Sequence, residues 1–359
     1  MKKGIIVTLW GEYNFGNRLQ NYAVQEILKD KGIDTLTIKN DPILNSKDKY
    51  ILRLLKFKLK KVKNKSEESI RTQNFKKFNE NINLSKKYFS FFDKIKFKDY
   101  DYWVVGSDQV WNPSFGALRD LELLTFVENE KKIALSASFG VSELPESLKP
   151  YVGNALKKFK AISVREDVGK EIVEKITNRE DIEVLIDPTM MISIERWDKV
   201  SKKPICMCEK KYILKYFLGK LSNEKNQKIQ KFAQDNKYEI IDILDPKSPF
   251  YDCGPSEFLY LEKNADLVCT DSFHSCVFAF LYNKPFVVFE REGNNVNMNS
   301  RIHTLIHKFK LKDRNFRDEI IRENLICDYS EAYKILENER TKMDIFLEKA
   351  LNEERKDEN

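Results

Sequence analysis

The 359-residue sequence contains no apolar run approaching the roughly 18 residues that a membrane-spanning helix requires. Its opening, MKKGIIVTLWGEYNFG, reaches charge and glycine too early for a secretory signal, so the expectation is a cytoplasmic protein. Cysteine is scarce: six residues, with Cys206 and Cys208 close together, make neither a disulfide framework nor paired zinc-ligand spacing. They read as reduced thiols, mostly buried. Histidine occurs three times. His303 and His307 lie one helical turn apart, but no HExxH pattern or third ligand accompanies them, so a packed or solvated helix face is the reading and no metal is expected. Charge of one sign is also lacking, because 63 basic residues interleave with 56 acidic ones to leave +7. With no groove-reading motif, that mixed surface argues against a nucleic-acid partner. Internal repeats and low-complexity segments are missing too.

Apolar material, by contrast, is plentiful. Hydrophobic residues make up 42%, including 24 Phe and 15 Tyr, and the length suits two domains of roughly 100–200 residues each. One segment departs from the mixed charge: Arg53 to Lys65 holds seven basic residues and no acid, with Leu52, Leu55, Leu59 and Val62 at helical spacing. A basic amphipathic helix of this kind can make peripheral contact with the inner face of a membrane or with an acidic partner. The other reading is an ordinary helix docking its leucines on the domain.

The run GIIVTLW (4–10), the glycines Gly11 and Gly16, and the pattern Leu19, Ala23, Ile27, Leu28 read as strand, loop and helix. Gly32 closes the helix and TLTI (35–38) completes a βαβ unit. Residues 51–98 look like a helical insertion, after which YWVV (102–105), KIALS (132–136), AISV (161–164) and EVLI (183–186) supply further short strands. After Pro204 the rhythm restarts with strands at 212–218, 238–244, 266–270 and 285–289, and helices at 222–236, 255–264 and 273–282. A long helix with a charged tail ends the chain. The predicted domains are 1–195, with a basic helical insertion at about 45–98, then 204–320, with 321–359 as helix and tail. Two successive runs of alternating strands and helices indicate two doubly wound α/β domains. In such sheets ligands sit outside the carboxyl ends of the strands.

The residues at those ends are the candidates. After the first strand, Asn17 and Arg18 stand at a helix N-terminus suited to an anion, although GxGxxG is incomplete and a helix cap explains Asn17 equally well. After Val105 come Ser107 and Asp108 in the polar run GSDQVWN, which serve either a site or a turn. Arg165 ends the third of the later strands beside Glu166, placed for a carboxylate or phosphate ligand or for a surface salt bridge. The richest stretch is Asp266 to Cys276, where an apolar strand empties into Thr270, Asp271, Ser272 and His274 ahead of an apolar helix. His274 is either a cation or acid–base group near neutral pH or a core histidine bonded to a carbonyl.

With those residues in hand, the chain resembles the polysaccharide pyruvyl transferase family over nearly its whole length. The matches stand in family order: NFGNRLQNYA, VGSDQVWN, SASFG, SVRE, LIDPT, the block NADLVCTDSFHSCVFAFLYNKPFVVF, and Ser300-Arg301-Ile302. The resemblance implies two Rossmann-like domains facing across a cleft, similar to the GT-B glycosyltransferases. It also implies a reaction without metal or cofactor, moving the carboxyethylidene unit of phosphoenolpyruvate onto two hydroxyls of a sugar or lipid-linked oligosaccharide, in a glycan precursor for the cell surface. By matching position Arg165 grips the donor's charge and His274 acts as general acid or phosphate partner; Asn17, Arg18, Ser107, Asp108, Asp271, Ser272 and Arg301 are the substrate-binding candidates beside them. Many members carry an arginine two residues before that histidine, where this chain has Ser272, and Arg18 or Arg301 is the expected replacement. A nucleotide-sugar glycosyltransferase of the same fold, or a non-catalytic glycan- or membrane-associated assembly protein, are the other readings.

Overall fold

The computed structural model describes residues 1–9, 13–39, 69–88, 97, 99–115, 118–207, 210–291 and 299–352. The basic stretch 53–65, most of the expected insertion and the charged tail lie outside the described residues. The chain divides into two compact units, one formed by Met1–Glu68, Asn79–Met191 and Glu339–Asn359, the other by Ser69–Phe78 and Ile192–Asn338.

The first unit is built on a wholly parallel seven-stranded sheet. Its strands are β1 (Lys2–Val7), β2 (Ile33–Lys39), β3 (Leu84–Tyr88), β4 (Tyr102–Val105), β5 (Lys132–Ala137), β6 (Ala161–Val164) and β7 (Glu183–Val184), in the spatial order β3-β2-β1-β4-β5-β6-β7. Parallel strands covered on both faces need continuous apolar runs rather than alternation, and β4 and β5 are buried along their whole length. Helix α1 (Phe15–Asp30) starts where the Asn14 side chain caps the Asn17 amide at 3.1 Å. The order reverses between β1 and β4, and this switch point is where ligands bind in such sheets. Beneath it the core gathers Ile5, Val7, Trp103, Val105, Ala134, Ile162 and Val164. Trp111 is fully buried, donates its indole N–H to the Glu122 carbonyl at 3.0 Å, and packs on Phe139 and Phe159 at 5.2 and 6.0 Å.

The helical reading of 51–98 holds for α2 (Ile70–Asn79), whereas Leu84–Tyr88 is the edge strand β3. The sequence LSKKY carries no apolar alternation, and Lys86 is exposed on it, as suits an edge strand guarded by charge. Helix α2 belongs to the second unit. Its Asn74 donates to the Asp252 carbonyl at 2.8 Å and Arg71 to the carbonyl of Tyr251. Gly254 makes room for it, since a Cβ there would stand 2.9 Å from Asn74.

The second unit carries a parallel four-stranded sheet, in the order β11-β10-β8-β9. Its strands are β8 (Tyr212–Tyr216), β9 (Glu239–Asp242), β10 (Leu267–Thr270) and β11 (Phe286–Val288). Its switch point falls between β8 and β10. The remaining α-helices among the described residues, in chain order, are α3 (Lys149–Leu156), α4 (Asp167–Thr177), α5 (Ile194–Val200), α6 (Asn223–Asn236), α7 (Pro255–Asn264), α8 (Phe273–Leu281), α9 (Ser300–Lys308) and α10 (Ser330–Asn352). Every residue of α8 is buried, as its sequence FHSCVFAFL requires of a central helix. No helix among the described residues is long and apolar enough to cross a membrane.

Candidate functional site

Two polar clusters occupy the carboxyl ends of the strands, one in each unit. In the first, Asp108 follows β4 in a left-handed conformation (φ 62°). Gly106 just before it has φ 120°, and a Cβ at that position would meet the Leu135 carbonyl oxygen at 2.2 Å. The turn therefore depends on glycine. Asp108 accepts from the Asn17 side-chain amide through one oxygen and from Arg165 Nη2 at 3.2 Å through the other. Arg165, 3% exposed, also donates Nη1 to Asp187 Oδ2 at 2.5 Å. Burial alone would depress its pKa, but the carboxylates of Asp187 and Asp108 outweigh that and push it upward.

Asp187 is the hub of this cluster. Beyond Arg165 it accepts from the Ser107 hydroxyl at 2.9 Å, the Thr189 amide at 3.0 Å and the Thr189 hydroxyl at 2.7 Å. Gln20 ties the ends of β1 and β4 together, donating to Thr8 Oγ1 at 2.7 Å and accepting from the Ser107 amide at 3.0 Å. Glu166 turns the other way. Its Oε1 accepts from the Ser138 hydroxyl at 2.8 Å and from the amides of Phe139 and Gly140 at 2.9 and 3.3 Å, while Oε2 makes no hydrogen bond among the described residues. Arg18 is buried and donates to the Leu9 carbonyl at 3.1 Å.

In the second unit the loop after β10 opens α8. Asp271 accepts from the amides of Leu218 and Gly219, each at 2.7 Å, so it locks the loop that follows β8. Arg291, just past β11, donates Nε to Asp271 Oδ2 at 3.0 Å and Nη2 to the Asp271 carbonyl at 3.2 Å. Ser272 is the N-cap residue but makes no side-chain cap bond, and its amide donates to Thr270 Oγ1 at 3.0 Å. His274, 6% exposed, lies in the first turn of α8 with its ring 5.4 Å from that of Phe273. The Arg301 guanidinium lies 6.0 Å from the same Phe273 ring. Residues 271–274 thus gather one histidine and two guanidinium groups at the start of a buried helix.

Behind that helix Glu262, fully buried on α7, pairs its Oε1 with the Ser275 hydroxyl, and its Oε2 makes no hydrogen bond among the described residues. Burial pushes its pKa well above 4.5 against a smaller opposing pull from Ser275, which favours the neutral acid. Among the described residues no group of three or more His, Cys, Asp or Glu is placed to hold a metal ion.

Asn17, Ser107, Asp108 and Arg165 come together in the first unit, and Asp271, Ser272, His274 and Arg301 in the second. Arg18, beside Asn17 on α1, is buried in the same unit and donates to the Leu9 carbonyl. His303 is exposed and pairs with Glu290 at 2.8 Å, so it is part of a solvated helix face. Sequence reasoning missed Asp187, Arg291 and Glu262. A signal existed for the first two, because both fall just beyond a strand, where candidates were sought elsewhere.

The fold and its strand-end clusters define a GT-B-like α/β protein. The UDP-GlcNAc 2-epimerase of Methanocaldococcus jannaschii is similar with a TM-score of 0.51 at 14% identity, over 99% of this chain and 94% of that one. Another UDP-N-acetylglucosamine 2-epimerase gives a TM-score of 0.51 at 11% identity, over 100% of this chain and 99% of its own. No curated protein matches the sequence. The family model for polysaccharide pyruvyl transferase matches residues 14–293, and the chain belongs to that family.

Proposed function

We propose that the protein transfers the carboxyethylidene group of phosphoenolpyruvate onto two hydroxyls of a sugar in a cell-surface glycan precursor, releasing phosphate. The observation that carries this reading, beside family membership, is the cluster at residues 271–274. His274 stands at the first turn of α8, Arg301 brings positive charge to the same junction, and Arg291 sits there paired with Asp271. A donor bearing a carboxylate and a phosphate needs cations, and a helix start adds its own partial positive charge. Arg301 takes the part of the arginine that Ser272 replaces, with Arg291 held beside it by Asp271.

In the reaction His274 delivers a proton to the CH₂ carbon of the enol phosphate, giving a methyl group and an oxocarbenium-like C2. One sugar hydroxyl attacks C2, the C–O bond to phosphate breaks, and a second hydroxyl closes the ketal. The two hydroxyl protons balance the one given to carbon and the one returned to base or phosphate. Arg165, with its fork held by Asp187 and Asp108, is a positioning residue that orders the polar turn bearing Ser107 and Asp108, and through Asp108 the Asn17 amide of α1, for ligand contact.

The test is phosphate release from phosphoenolpyruvate in the presence of nucleotide-linked or lipid-linked sugars. His274→Ala is expected to slow it by about 10²–10⁴-fold. Arg291→Gln should raise the KM for phosphoenolpyruvate about 10- to 100-fold, as expected for loss of a charged hydrogen bond. An undiminished rate in His274→Ala overturns the assignment. Protection against thermal unfolding by UDP or GDP, but not by phosphoenolpyruvate, points instead to a glycosyltransferase.

A further inference from the structure

Beside the Asp271 cluster, and still within the second unit, a crevice of about 330 Å³ opens at the carboxyl ends of β8 and β9. We propose that this crevice binds a single neutral sugar ring through a vicinal diol. The inference rests on the reading of the family's acceptor as a sugar, and it adds where and by which residues a ring is held.

Two larger cavities are less suitably placed: one, at residues 313–328, is dominated by acidic side chains, and the other opens at the amino ends of β6 and β7. This crevice instead lies outside the carboxyl ends, where parallel sheets take their ligands. It shares Gly219 with the cluster, since the Gly219 amide donates to Asp271.

Polar side chains line the crevice. Asn223 and Asn226, three residues apart on the first turn of α6, share one helix face. Ser222 supplies the cap of that helix by accepting from the Lys225 amide, which leaves the capping role to Ser222 and the two asparagine side chains on the crevice lining. Each amide offers donors and an acceptor, the combination that hydroxyls require. Asp242, at the end of β9, holds Lys215 at 3.0 Å and accepts from the Leu244 amide at 3.1 Å, so both side chains are fixed in place with hydrogen-bonding capacity left over. An acidic residue at the end of the second strand of a βαβ unit is placed to accept from a sugar diol. Phe217 on the wall offers an apolar face for the C–H side of a ring.

Charge decides the ligand class. The lining has one cation, Lys215, against the carboxylates of Asp242 and Asp245, so the sum disfavours phosphate and phosphoenolpyruvate and leaves a neutral polyol. The volume is at the lower end of the roughly 300–1,000 Å³ of small-molecule sites, enough for one ring. That ring belongs either to the acceptor glycan or to the ribose of a nucleotide carrying the acceptor.

The probe is amide and side-chain NH₂ chemical shifts of the full-length protein, titrated separately with methyl β-D-galactopyranoside, N-acetylglucosamine and uridine. Saturable shifts are expected at Gly219, Asn223 and Asn226, with affinity falling at least fivefold in Asn226→Ala and in Asp242→Asn. Response to the glycosides identifies the acceptor as the source, and response to uridine alone identifies the ribose. No shift at these positions with any probe, or affinities unchanged in both variants whose spectra remain those of folded protein, overturns the proposal. Phosphate release that persists in such a case removes this site while leaving the pyruvyl-transfer reading intact.

Discussion

Replacing Glu262 by Gln changes one atom in a fully buried place and should alter the pH dependence of stability in a calculable way. In the unfolded chain this carboxyl releases its proton near pH 4.5, whereas burial holds the proton on in the folded state. Because the folded-state pKa is the higher one, the stability associated with the neutral acid is complete below pH 4.5 and declines as pH rises towards the folded-state value. The decline is about 1.4 kcal/mol per pH unit. Glutamine carries no titratable proton, and its amide can donate to the Ser275 hydroxyl, so the slope disappears while the pairing persists. The assay is hydrogen exchange of peptides from α8, compared between the two proteins at equal pH so that intrinsic rates cancel. The ratio of wild-type to variant exchange rates should climb about tenfold per pH unit through the window above pH 4.5. A ratio that stays constant from mildly acidic to neutral pH would refute the neutral-acid reading.

Asp187→Ala removes a carboxylate from the Arg165 fork and one acceptor each from Ser107, which keeps the Ser136 carbonyl, and Thr189, so thermal denaturation should register a loss of about 3–5 kcal/mol, as for a broken buried ion pair. Gly106→Ala drives a Cβ into the backbone oxygen of Leu135, which no rotamer change relieves, and should leave the first unit unable to pack, seen as loss of near-ultraviolet circular dichroism from Trp103 and Trp111. Trp111→Ala should cost about 3–5 kcal/mol in urea unfolding, because the indole fills a closed space between Phe139 and Phe159.

The alternation of strand and helix could be read because parallel strands covered on both faces are short apolar runs. YWVV, AISV and the PSEFLYLEKN helix were located to the residue. The strand β3 escaped because an edge protected by lysine lacks the pattern by which buried strands are found. The polar groups of the candidate site were visible by the same logic, but their partnerships were not. Arg165 looks in sequence like a cation available to a ligand, and only folding shows its fork closed on Asp187, 22 residues on. Arg291 lies 20 residues beyond Asp271 and in a different strand-end loop, so nothing local links the two. Glu262 resembles any helix-face acid until its burial is known.

The loop from Ser138 to Gly140 has the form of a seat for a negatively charged oxygen, with two amides and a hydroxyl converging and Gly140 in the left-handed conformation that aims them. The chain occupies that seat itself, with a carboxylate anchored at the neighbouring strand. A backbone comparison alone would mark this turn as a receptor for phosphate. With its guest covalently supplied it serves instead as an internal fastener, holding the end of β5 to the start of α4.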